Sequence, residues 1–243
     1  MIDPVLLTAP RISTFNDEVL LTNASSFFFE RGERLFLVTS RHVMVDEASG
    51  HHPTRIEIEL HNDPDNLAQS INFSIPLYRD GASLWRQGED GGGDIDVAVI
   101  EIDRHALPDN VLYRAFAPDH LCAPDHDVEI GTLVLVVGFP LGFHDTLHHM
   151  PVVRHAVIAS SFGFRFQGMG YFLTDARTHR GTSGAPVVLK ARELESLPGD
   201  LPWMLLGVHS ARLDVGTRDM VLDEALGLNC AWYADILMTL TAD

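Results

Sequence analysis

Cysteine is scarce in this chain: Cys122 and Cys230 are the only two among 243 residues. A framework of several disulfides is therefore excluded, while a single bridge between the two stays open. Basic residues are also few, 17 against 34 aspartates and glutamates, giving a formal net charge of −17. Nucleic-acid binding rests on neutralising phosphates with lysine and arginine, so this balance argues against it. It also disfavours anionic membrane surfaces and serves solubility. No apolar run is long enough to span a bilayer, and Met1-Ile2-Asp3-Pro4-Val5-Leu6-Leu7 lacks the basic region and apolar stretch of a secretion signal. The missing signal and the sparse cysteines together lead to the expectation of a cytoplasmic protein with reduced, buried thiols.

Between Asp175 and Val188 the chain reads Asp-Ala-Arg-Thr-His-Arg-Gly-Thr-Ser-Gly-Ala-Pro-Val-Val. A serine hydroxyl becomes a nucleophile only when a base takes its proton and donors hold the oxyanion it creates. Gly181-Thr182-Ser183-Gly184 suits that task. Glycine at 181 allows a turn sharp enough to aim backbone N–H groups at one point, and glycine at 184 keeps a Cβ away from the start of the next strand. Residues 35–43 form an apolar strand that delivers His42 just past its end. In residues 94–102, Asp96 stands directly before another apolar strand. The order His42, Asp96, Ser183 is that of one of the known serine-nucleophile triads. Separately, His42 could be a cap, Asp96 a strand-edge charge and Ser183 a turn residue.

These residues resemble the chymotrypsin-like serine peptidases of bacterial trypsin-like and HtrA type. Ser25-Ser26-Phe27, then Val38-Thr39-Ser40-Arg41-His42-Val43, is similar to the family's first hairpin and histidine motif. Asp96-Val97-Ala98-Val99 resembles its aspartate motif, and Gly138-Phe139-Pro140-Leu141-Gly142 its Gly-x-Pro-x-Gly turn. Thr174-Asp175-Ala176 followed by Gly181–Pro186 has the spacing of the nucleophile block, and residues 227–232 resemble the last strand. The chain departs at Arg41, where many members carry alanine, and at Thr182, where secreted trypsins carry the residue that anchors a freed N-terminus. The resemblance therefore implies an oxyanion hole held by other contacts, or formed on substrate binding.

What the resemblance implies is an all-β, chymotrypsin-like double β-barrel with a short C-terminal helix over 234–240. Residues 1–115 would carry His42 and Asp96, and residues 116–243 would carry Ser183. Strands are expected at 27–29, 35–39, 56–60, 71–77, 133–137, 152–159, 171–176, 186–189 and 203–210, with an exposed loop over 79–94. The implied activity is that of a serine endopeptidase working through an acyl-enzyme with His42, Asp96 and Ser183. Its oxyanion hole would lie at Gly181, Thr182 and Ser183. A catalytically silent peptide-binding relative is the alternative. Substrate contacts fall by position on Arg177, Arg180, His209, Ser210, Ala211 and Arg212. The cations among these, with His179, suggest a preference for an acidic residue before the scissile bond. The expected partner is a protein or peptide substrate, and at the level of resemblance a regulatory protein as well. No PDZ-like module is read in the chain.

Thirteen histidines raise the question of a metal. His51-His52, His120, His126, His144 and His148-His149 are the candidates, but none has the ligand spacing of a known zinc motif. The expectation is no metal and no cofactor.

Overall fold

Strands Arg11–Asn16, Arg55–His61 and Val152–Ile158 alternate buried and more exposed side chains with period two, whereas Arg34–Thr39 is buried along nearly its whole length. The computed structural model describes residues 2–91, 93–122, 128–191, 197, 199–214 and 225–242, with the backbone alone at 212–214 and 225–226. A 3-10 turn (Pro4–Thr8), capped by the Asp3 carboxylate, leads into β1 (Arg11–Asn16) and β2 (Val19–Ser25). The expected hairpin follows as β3 (Phe27–Arg31) and β4 (Arg34–Thr39), with Gly32 in the left-handed backbone its turn requires (φ 61°). One turn of helix, α1 (Arg41–Met44), comes next. The first half is completed by β5 (Arg55–His61), β6 (Ser70–Pro76), a small hairpin of β7 (Tyr78–Arg79) and β8 (Ala82–Ser83), β9 (Trp85–Asp90) and β10 (Gly93–Ile102).

Its strands form two antiparallel sheets, β2-β1-β5-β6 and β3-β4-β10-β9. Their inner faces bury Ile12, Phe28, Leu35, Leu37, Ile56, Ile58 and Ile100 in one core. The second half contains β11 (Leu133–Gly138), β12 (Val152–Ile158), β13 (Tyr171–Asp175), β14 (Pro186–Lys190), β15 (Trp203–Asp214) and β16 (Ala225–Tyr233). These close into a barrel in the order β11-β12-β13-β16-β15-β14, which removes exposed sheet edges. The chain then ends in α2 (Ile236–Leu240). The all-β, double-barrel expectation with a short C-terminal helix is met.

A second apolar cluster joins the halves. Phe27, Phe29, Val38, Val97 and Val99 from the first half pack with Val137, Val188, Leu205, Trp232 and Leu237 from the second. Each large side chain buried this way contributes roughly 1.5–3 kcal/mol relative to exposure. The seam is therefore a true core.

Residues 79–94 correct the sequence reading. They hold β7, β8 and β9, where a loop was expected. The sequence hides β9 because it is an edge strand: it pairs with β10 alone, and Arg86, Gln87 and Glu89 face solvent as edge residues do. Its Gly88 lies under α2, where a Cβ would meet Leu240 at 3.4 Å and Ile236 at 3.7 Å. Cys122 and Cys230 are not bridged, and burial pushes the Cys230 thiol up to about 11. Among the described residues, no helix is long and apolar enough to cross a membrane.

Candidate active site

Three elements bring His42, Asp96 and Ser183 to the seam. β4 is buried along nearly its whole length and ends at Thr39, so α1 presents His42 immediately beyond it. Asp96 lies in β10 where the register with β9 shifts between Asp94 and Ala98, an irregularity of the sort that re-aims a side chain. Ser183 follows Gly181, in the loop between β13 and β14.

The Asp96 carboxylate is the hub. Its Oδ1 accepts from the backbone N–H of His42 (2.9 Å), and its Oδ2 pairs with His42 Nδ1 (2.7 Å). The Ser210 hydroxyl donates to the same Oδ2. This arrangement fixes Nδ1 of His42 as the protonated nitrogen and leaves Nε2 as the acceptor. Burial pulls the His42 pKa down, but the hydrogen bond to Asp96 and the charges of Asp96 and Asp46 outweigh it, so His42 sits above the ordinary histidine value.

The Ser183 hydroxyl donates to Ser210 O at 3.0 Å rather than to His42. Both side chains line a single cleft of about 310 Å3, together with Gly181, Arg180 and Asp46.

The backbone around Ser183 is held from several sides. Ser25 N–H donates to Ser183 O (3.0 Å), and Gly184 N–H to His209 O (2.8 Å). Gly184 has φ 84°, and a Cβ there would collide with Thr39 Oγ1 and Ser25 O. Arg180 O accepts from Leu141 N–H (2.5 Å), while Gly181 O accepts from the Ser25 hydroxyl (2.7 Å). In a trans peptide N–H and C=O point in opposite directions. Anchoring Arg180 O on Leu141 therefore turns the Gly181 N–H away from that loop. Among the described residues, the N–H groups of Gly181 and Ser183 donate to no acceptor. Gly181 takes φ 87°, and a Cβ would meet Phe139 O at 2.6 Å, so only glycine fits.

Thr182 is corrected as an oxyanion donor. It is buried, and its N–H is spent on His179 O at 3.2 Å. Ser25 and Leu141 hold the carbonyls of Gly181 and Arg180 that precede it. Arg41, the other departure, points to the surface, where it bonds Gln87 (2.7 Å) and approaches Glu47 and Asp94.

The expected substrate-contact residues divide. Ser210 is nearly buried and is tied to Asp96, an additional role that its strand position did not reveal. Arg177, Arg180 and Ala211 are exposed. His209 is buried, with its Nδ1 unpartnered, and burial with the adjacent His42 charge holds its pKa down to about 4; it is a neutral ring, not a cation. The side chain of Arg212 and the segment 215–220 lie outside the described residues, as does His126. Ser25 is the residue that sequence reading missed. Its hydroxyl also accepts from Phe139 N–H (2.9 Å), linking segments far apart in the chain, and no local pattern marks such a bridge.

The model of the trypsin-like peptidase domain family matches residues 24–194, a span that holds His42, Asp96 and Ser183. A search of the curated proteins finds no sequence that matches. Among solved structures the chain is similar to one described as the crystal structure of the serine endoprotease from Yersinia pestis. The TM-score is 0.56 at 16% identity, over 97% of this chain and 62% of that one. This chain thus spans less than two thirds of that protein's length, and the likeness concerns the fold.

Proposed function

Since this chain belongs to the trypsin-like peptidase domain family, and so to the serine-type endopeptidases, we propose that it cleaves peptide bonds with Ser183 as nucleophile, His42 as base and Asp96 as the orienting carboxylate. The observation that carries this reading is the double contact of Asp96 with His42, through N–H and Nδ1, at a cleft shared with Ser183.

The bound peptide adds a strand to β15 at Ser210 and Ala211. β14 begins at Pro186, which pairs with Val208, so β15 runs on past it. Such an edge offers backbone donors and acceptors to an extended chain. The Ser183 hydroxyl rotates from Ser210 O to His42 Nε2 and gives up its proton as Oγ bonds to the scissile carbonyl carbon. The carbonyl π electrons move to the oxygen, which is received by the N–H groups of Gly181 and Ser183. His42 returns the proton to the departing amine as the C–N bond breaks, leaving an acyl-enzyme on Ser183. Water, activated by the same imidazole, then hydrolyses the ester.

Cleavage of an unfolded protein substrate across a pH series tests this reading. His42 must be neutral to accept the proton, and Asp96 raises its pKa. We expect kcat/KM to be low in acid and to rise through a midpoint above the ordinary histidine value of 6.5. A flat profile between pH 5 and 9 would exclude His42 as the base.

A further inference from the structure

We propose that Glu59, His144 and His149 form a binding site for a divalent transition-metal ion of the zinc type, bridging the two halves of the molecule. One donor atom of each lies within 4.8 Å of a donor atom of both others. Local spacing conceals the set, because Glu59 belongs to β5 and the histidines to the segment that follows β11.

The donor chemistry fits zinc. Two imidazoles and one carboxylate, with a water in the fourth position, are a known zinc ligand set, at about 2.0–2.2 Å from the ion. A tetrahedron of that size places ligand atoms about 3.4 Å apart, so donor-atom shifts of up to about 1.4 Å complete it from separations within 4.8 Å. His144 Nδ1 is bonded to Gly142 O at 2.6 Å, which leaves Nε2 unprotonated for a metal. Such a backbone carbonyl is a usual partner of a ligating histidine. His149 Nδ1 lies 2.7 Å from Glu59 Oε1. The ion takes the place of the proton those two atoms share, which leaves to solvent. Glu59 is also held by the Ser70 hydroxyl (2.9 Å to Oε1) and by Arg11 (3.3 Å to Oε2). Arg11 counts against cation binding, but it faces the oxygen not shared with His149.

The segment is already set for closure. His61 Nε2, from β5, bonds His148 O at 2.7 Å. Asp145 and Met150 form an antiparallel bridge, which brings the flanking His144 and His149 together. Glu59 and His149 are 14% and 24% exposed at the side chain, open enough for an ion to enter. The same segment carries Leu141, whose N–H holds Arg180 O. An ion here therefore pins the backbone that orients Gly181; that consequence rests on the peptidase reading, whereas the site does not.

Chelator-treated protein, titrated with Zn2+ by calorimetry, tests the site without reference to activity. The wild type should bind one equivalent saturably. Glu59→Gln and His144→Ala should each weaken that binding by about 10-fold or more, with circular dichroism unchanged. His148→Ala, whose imidazole pairs with Asp145 instead, should bind as the wild type does. Absence of saturable binding in the wild type overturns the proposal. So does equal affinity in the folded Glu59→Gln variant, or a loss in His148→Ala as large as that in His144→Ala.

Discussion

Replacing Ser183 by alanine is expected to lower peptide hydrolysis by about 10^6-fold in kcat while leaving the fold intact. The hydroxyl makes one hydrogen bond, to Ser210 O. The backbone contacts that shape the loop, from Ser25 N–H to Ser183 O and from Gly184 N–H to His209 O, do not involve it. Alanine fits the same backbone, so substrate binding should survive with KM little changed. What disappears is the attacking oxygen. Residual turnover would come from the oxyanion donors and positioning alone. Steady-state kinetics on a peptide cleaved by the wild type checks this, with thermal melting to confirm the fold. A variant that keeps a tenth of the wild-type kcat would remove Ser183 from the reaction.

Asp96→Asn should cost about 10^4-fold in kcat, and it should do so through His42. The carboxylate holds Nδ1–H in place and its charge favours the imidazolium. An asparagine can turn its amide toward Nδ1 and so place the imidazole proton on Nε2, where it blocks transfer from Ser183. The His42 pKa should fall as well, because burial remains while the hydrogen bond and charge of Asp96 are gone and only Asp46 still attracts the imidazolium. The pH midpoint of the residual activity should therefore move down, not up. Ser210 supplies an internal comparison. Its hydroxyl donates to the same oxygen of Asp96, so Ser210→Ala should lower activity far less than Asp96→Asn. Equal losses would mean that hydroxyl contacts, rather than the charge, organise the pair. The pH–rate profile of Asp96→Asn is the readout that a merely structural role would not shift.

The parts of the site that were legible are those written in a few adjacent residues. His42 and Asp96 each stand against an apolar strand, and the glycines flanking Ser183 announce a turn that no other residue tolerates at φ 87° and φ 84°. Strand and turn chemistry are local, so sequence carries them. Ser25 was legible only as part of a hairpin. Its hydroxyl joins Phe139 and Gly181, which become neighbours only when the two halves close on the seam. The trio of Glu59, His144 and His149 was hidden for the same reason, since a scan for ligand spacing sees the histidines and never the carboxylate. β9 failed to stand out because half of an edge strand looks like a loop. Thr182 was over-read: three consecutive N–H groups seem equivalent in sequence, but a turn must spend one of them on its own closure, here on His179 O.

The most direct measurement is labelling with a fluorophosphonate, which reacts only with a serine whose proton can be taken and whose developing oxyanion is held. The account predicts one covalent adduct per chain, located on Ser183 by peptide mapping and absent from Ser183→Ala. It also predicts labelling that strengthens as pH rises through the His42 midpoint. A native, folded protein that forms no adduct at any pH, or forms it on another residue, would contradict the assignment of Ser183 and His42 as a working nucleophile and base.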